Sequence, residues 1–159
     1  MKNIEKKQDE LFHFMEKKIN HIYKFVKLYN DYINTPRDYG TEEKFNMLSI
    51  HILTAIEETP GITVTELATE WFRTKGGISQ VIKLLEEKGY IFRKKSETNQ
   101  KIVHLFPTPK GIEASLTHKI YDIKNLNKTV SKLLESCSEG DIRSFHKVID
   151  CYIDIFSKK

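Results

Sequence analysis

Residues 63–106 read TVTELATEWFRTKGGISQVIKLLEEKGYIFRKKSETNQKIVHLF, and the spacing of their apolar and capping residues predicts two short helices, a turn and a two-stranded hairpin. Thr63 precedes Glu66 at the spacing where a hydroxyl takes an orphan helix amide and the carboxylate reaches back. Val64, Leu67, Ala68 and Trp71 then recur at helical spacing and make one apolar face. Thr74 supplies a second start, for a helix from Lys75 to Lys88, and Gly89 stands where a chain commonly leaves a helix through left-handed backbone. Two capped helices separated by about a turn of chain are a helix-turn-helix pattern.

In the second helix Ile78, Val81, Ile82 and Leu85 share the inward face, which leaves Lys75, Gly76, Ser79, Gln80 and Lys83 outward. This outward set combines ammonium groups for phosphate, a hydroxyl, and an amide able to bond an adenine edge, with no acid in its first two turns. Any solvated helix face carries Lys and Gln, so the context decides. After Gly89 come an apolar strand with a basic end, Tyr90–Lys95, the polar run Ser96–Gln100, and an alternating strand, Lys101–Phe106. Arg93, Lys94, Lys95 and Lys101 near the tip of this hairpin can reach phosphates or a narrow minor groove beside the helix. A helix-turn-helix followed by a basic wing is a far more specific pattern than either part.

Glu66-Leu67-Ala68, Thr74-Lys75, the run Leu85-Glu86-Glu87-Lys88-Gly89-Tyr90-Ile91, and Thr108-Pro109-Lys110-Gly111 after the hairpin together resemble the winged helix-turn-helix of the MarR family of bacterial transcription regulators. The resemblance implies a sequence-specific regulator, a repressor in most members, acting as a homodimer on double-stranded DNA. The residues it places at the DNA are Thr74, Lys75, Gly77, Ser79, Gln80, Lys83, Arg93, Lys95, Asn99 and Lys101. Members carry an Asp-x-Arg signature in the wing, the Asp bracing the hairpin and the Arg entering the minor groove; by position these fall on Asn99 and Lys101. A lysine lacks the planar fork of arginine, so this wing departs from the family's means of reading a groove. Phe72 stands where many members have the glycine of the turn.

Outside this stretch the chain supplies long amphipathic helices. Leu11, Met15, Ile19, Ile22, Val26, Tyr29 and Ile33 step through a helix over 5–33, widened by Phe12, Phe25, Leu28 and Tyr32. Pro36 and Gly40 punctuate a connector, and Thr41 is placed to cap a helix from Glu42 to Glu58. Thr108 and Pro109 open a further helix with Ile112, Leu116, Ile120, Ile123, Leu126, Val130 and Leu133 in phase; Ser138 begins a last one with Ile142, Phe145, Ile149, Tyr152 and Phe156. The expected fold is therefore mainly α with a small β wing. An N-terminal dimerisation helix and connector occupy 1–40, the winged helix-turn-helix domain 41–107, and C-terminal dimerisation helices 108–159.

Several function classes are set aside. The chain has 159 residues, 30% of them charged, and a formal charge of +4, a mild excess compatible with nucleic acid. No stretch approaches the length of a membrane span and the start lacks a signal-peptide pattern, so a cytoplasmic protein without a membrane partner is expected. Cys137 and Cys151 are the only cysteines and, on one helix, would lie about 21 Å apart, too far to bridge. Neither a phosphate-binding loop nor a nucleophile elbow occurs, so no enzyme activity and no cofactor are expected. His13, His21, His51, His104, His118 and His146 include no i,i+4 pair of histidines and join no His/Cys/carboxylate cluster of established ligand spacing, and no metal is expected. By the resemblance, a small aromatic or phenolic effector would wedge between the dimerisation layer and the winged domain, with Arg37, Tyr39 and His51 as its polar contacts. The alternative is a dimeric small-molecule-binding or protein-interaction module that has kept the winged fold and lost specific DNA reading.

Overall fold

Side-chain caps set most of the helix starts. Thr63 Oγ1 accepts from the Glu66 amide (3.3 Å) while the Thr63 amide donates to Glu66 Oε2 (2.8 Å), a complete capping box. Thr74 caps through the Gly77 amide and Thr108 through the Gly111 amide, each at 3.1 Å. Ser138 and Asp141 repeat the reciprocal arrangement at the last helix. The structure, a computed structural model, describes residues 2–157. In chain order the elements are α1 (Lys2–Asn34), α2 (Met47–Glu58), α3 (Val64–Glu70), α4 (Lys75–Glu87), β1 (Ile91–Lys95), β2 (Val103–Pro107), α5 (Pro109–Leu134) and α6 (Glu139–Ser157).

One helix starts later than its sequence suggests. Thr41 does not cap a helix from Glu42; its hydroxyl donates to the Glu43 carbonyl, and Arg37 and Phe45 exchange backbone hydrogen bonds as an isolated antiparallel bridge. The cap is Asn46, whose Oδ1 accepts from the Ser49 amide at 2.8 Å, and α2 runs from Met47. Residues 41–43 bend and Phe45 joins the bridge, and from this connector Glu43 accepts from Lys88 Nζ (2.6 Å), Lys110 Nζ (3.0 Å) and the Tyr90 hydroxyl (3.1 Å). Those bonds, led by the one from Lys88, hold the Glu43 carboxyl down at about 2. This one carboxylate thus joins the connector to the end of α4 and the start of α5.

α2 is the centre of the core. Ile50, Ile52, Leu53 and Ile56 are fully buried, together with Leu67 of α3, Ile78, Ile82 and Leu85 of α4, and Leu105 of β2. The hairpin pairs Ile91 with Pro107 and Lys95 with Val103; its second strand begins two residues later than the alternation in the sequence suggests, so Lys101 and Ile102 belong to the wing loop. β2 is fastened to the module by Gly61 and Ile62, whose backbones exchange hydrogen bonds with Leu105 at 2.7 and 3.0 Å. Gly111 lets α5 approach closely, since a Cβ there would lie 2.0 Å from the Tyr90 carbonyl oxygen.

α3 and α4 both end in the six-residue turn that a left-handed residue closes. At α4 the residue is Gly89 (φ 73°), with Tyr90 N–H bonded to Leu85 O and Gly89 N–H to Glu86 O, both 2.9 Å. At α3 it is Phe72 (φ 48°), with Arg73 N–H bonded to Ala68 O at 2.9 Å. The glycine expected at this turn is absent, and the turn keeps its conformation with an exposed phenylalanine in a strained position.

Candidate nucleic-acid interface

The burial of Ile78, Ile82 and Leu85 orients α4 by itself: with that stripe on the core, Lys75, Ser79, Gln80 and Lys83 stand on the exposed face. Thr74 and Gly77 lie at the same helix start, where unpaired amides and the helix dipole favour an anionic oxygen. Gly76 has open space where its Cβ would be, so no packing demands a glycine there.

The basic side chains of the wing are not equivalent. Arg93 Nε is 2.9 Å from Glu86 Oε2, an ion pair that ties β1 to α4. Lys94 is paired with Glu97 at 3.2 Å, and Lys83 lies 3.7 Å from Glu87. Among the described residues Lys75, Lys95 and Lys101 make no ion pair, and all three are exposed. Arg93 therefore acts first as a strut between wing and helix, and a phosphate would have to compete with Glu86 for it. Sequence reading sees four similar charges and cannot see that one of them has a partner across the fold.

Asn99 braces the wing tip. Its Oδ1 accepts from the Lys101 amide at 3.0 Å, its carbonyl from the Ile102 amide at 2.9 Å, and its own amide faces Ser96 Oγ at 3.4 Å. This is the bracing position that the resemblance assigned to an Asp, filled by the uncharged isostere. The Lys101 side chain projects from the braced loop.

A second cluster lies behind the interface, where α2 meets α5. Tyr39 is 2% exposed and belongs to the core, edge-on to His118 and Tyr121 at 5.2 Å each. His118 in turn stands edge-on to His51 at 4.7 Å, so two of the three predicted effector contacts meet through a histidine that the sequence did not single out. Burial pushes the pKa of the His51 and His118 imidazoles down, against the opposing pull of the Asp122 carboxylate. The Arg37 guanidinium lies 3.5 Å over the Tyr32 ring. His51 and Asp122 line an open cleft of about 490 Å³, with Tyr29, Met47, Leu48, Trp71 and Arg73. His118 and Asp122 occur one helical turn apart in α5, a His/carboxylate spacing that becomes a cluster only where the fold brings His51 to it.

The MarR family model matches residues 45–102, which run from the start of α2 into the wing loop. Over that segment the chain is similar to the MarR family. Among curated relatives, the HTH-type transcriptional regulator YhjH of Bacillus subtilis is 29% identical over 87 residues, 55% of this chain and 50% of that protein. The HTH-type transcriptional regulator SarZ of Staphylococcus epidermidis is 25% identical over 107 residues, 67% of this chain and 62% of that protein. The matches thus span between half and two thirds of these relatives. Among solved structures, Streptococcus pneumoniae FabT in complex with DNA is 25% identical with a TM-score of 0.62, covering 93% of this chain and 99% of that one. BldR of Sulfolobus solfataricus, at 23% identity and a TM-score of 0.63, shares the fold over 91% of this chain and 98% of its own. The shared fold therefore extends beyond the matched segment to the terminal helices.

Proposed function

We propose that this protein is a cytoplasmic transcription repressor that binds a near-palindromic operator in double-stranded DNA as a homodimer, and that a small aromatic or phenolic effector adjusts its grip. The observation that carries the reading is the exposed face of α4: a buried Ile78–Ile82–Leu85 stripe points Lys75, Ser79, Gln80 and Lys83 outward, next to a braced wing whose Lys95 and Lys101 make no ion pair among the described residues. FabT, similar over nearly its whole length, was solved on DNA. In this reading α4 lies in the major groove, Gln80 reads a base edge, and the wing follows the backbone. Related copies about one helical turn apart, roughly 10 bp, then read two half-sites.

The homodimer is supported by apolar surface that one chain leaves open. Leu11, Phe12, Phe25 and Leu28 of α1, Ile123 and Leu126 of α5, and Phe145 and Phe156 of α6 are each more than half exposed. A monomer with this much continuous apolar surface would associate, and a two-fold partner offers the same surfaces in return. The 490 Å³ cleft between α1, α2 and α5 is where an effector would act, since it adjoins both the winged module and the open helices.

Fluorescence-anisotropy titration against duplex enriched from the protein's own genome, at two salt concentrations, tests the reading. Saturable binding to a near-palindrome about a thousandfold tighter than to random duplex is the expected result. Gln80→Ala should cost about 1–3 kcal/mol at one operator base pair and relax specificity there; Lys101→Ala should weaken all sequences alike and lower the salt slope by about one. Unchanged sequence preference in Gln80→Ala would remove that residue from the reading face. Binding no tighter than to random duplex, with or without cell extract, would overturn the repressor assignment.

A further inference from the structure

We propose that His51, His118 and Asp122 form a binding site for a divalent transition-metal ion of the zinc class, with its remaining coordination position opening on the cleft beside Trp71. The three residues each offer one ligand atom, and these atoms lie within 4.8 Å of one another. Asp122 Oδ2 is 3.1 Å from His118 Nε2 and 3.8 Å from His51 Nε2. Ligand atoms around a tetrahedral ion with bonds of about 2.1 Å are separated by about 3.4 Å, so small side-chain movements would close this set on an ion.

The hydrogen bonds around His118 argue that something is missing between these groups. Thr54 has one hydroxyl proton, and its Oγ1 sits 3.1 Å from the Ile50 carbonyl, to which it donates. Toward His118 Nδ1, at 3.2 Å, Thr54 Oγ1 is then the acceptor, so Nδ1 carries the proton. In the neutral ring Nε2 is left as a bare lone pair. That atom is buried in a residue only 1% exposed and makes no hydrogen bond; the Asp122 oxygen is near enough but outside the bonding direction. A buried lone pair facing a carboxylate is unfavourable until a cation sits between them. Two imidazole nitrogens and one carboxylate are the donor set of an open zinc-type site, and Thr54 supplies the outer hydrogen bond that fixes a ligating histidine's tautomer. Ser115 Oγ lies 3.2 Å from both Thr54 Oγ1 and Glu57 Oε2, and its single proton can serve only one of them.

The position gives the ion a mechanical role. His51 belongs to α2, at the centre of the winged module, while His118 and Asp122 lie on α5. A bound ion would clamp the module to the helix that leads out of it. His51 and Asp122 also line the cleft, so a carboxylate or phenolate entering there could take the open position in place of water.

Cobalt(II), titrated into the full-length protein after chelator treatment and dialysis, gives a readout independent of DNA. The expected result is saturable visible absorption of the intense tetrahedral type at one ion per chain, displaced by zinc. His51→Ala and Asp122→Asn should each weaken binding at least about tenfold while circular dichroism stays native, and Thr54→Val should weaken it about 10- to 100-fold by releasing the His118 tautomer. Zinc should raise the thermal midpoint of the wild type and not of Asp122→Asn. Absence of the tetrahedral bands, or binding that His51→Ala and Asp122→Asn leave unchanged, would overturn the site. Failure of the DNA titration would leave it standing, because no step of the cobalt experiment involves DNA.

Discussion

The winged module and the terminal helices are built from similarly amphipathic stretches and end in opposite states. Leu105, Ile82 and Ile52 of the module are completely buried within one chain, whereas the 19-residue α6 has no buried residue at all. The module closes its own core because short helices and a hairpin wrap α2 from several sides. α1, α6 and the distal part of α5 meet too little of their own chain: Phe25 reaches Phe145 only at 6.5 Å, edge to face. The difference teaches that stability of the module is intramolecular, whereas stability of the terminal layer depends on what covers it, here proposed to be a second copy.

The largest way to break this comparison is to charge the open faces. Ile123→Glu combined with Leu126→Glu should raise the dimer dissociation constant at least about a thousandfold, read by sedimentation velocity, because each buried unpaired carboxylate costs several kcal/mol. Since both residues are more than 60% exposed in one chain, the folded module should survive, with its thermal midpoint no longer dependent on protein concentration. Gly111→Ala attacks the other side. Helix propensity alone predicts a gain of about 1 kcal/mol. A methyl 2.0 Å from the Tyr90 carbonyl oxygen reverses the sign, and urea unfolding should show a loss of about 3 kcal/mol.

Phe72→Gly sharpens the comparison within the module. The two helices of the helix-turn-helix end in the same left-handed turn, and relief of the strain at φ 48° should raise stability by about 1 kcal/mol or less, measured in urea. The smallest effect is a pH dependence. The Glu43 carboxyl is held at about 2 in the folded chain against an ordinary 4.5, so its contribution is present above pH 4.5 and disappears as pH falls toward 2. Glu43→Gln should therefore flatten the fall of the thermal midpoint across that window while lowering the midpoint at neutral pH.

Local signals in the chain were sufficient for much of this fold. The Thr63–Glu66 box, the Thr74 and Thr108 caps and Gly89 act over three or four residues, and each reappears as the predicted bond. The apolar stripe of α4 likewise determined which residues face outward. Thr41 misled because its hydroxyl can cap a helix only if the following residues are free to turn; the Arg37–Phe45 bridge and the bonds from Lys88 and Lys110 to Glu43 hold them out of a helix. Those bonds join residues far apart in the chain, and no local pattern contains them.

By itself, then, the sequence determined the order and character of the elements, the orientation of α4 and the MarR resemblance, because capping and periodicity are short-range effects. Only tertiary structure decided which charges are free and which groups meet. It pairs Arg93 with Glu86, places Tyr39 in the core, and brings His51 of α2 to His118 and Asp122 of α5. The reason is physical: hydrogen-bond direction and ion pairing depend on distances of 3 or 4 Å, and between separate helices those distances are set by packing.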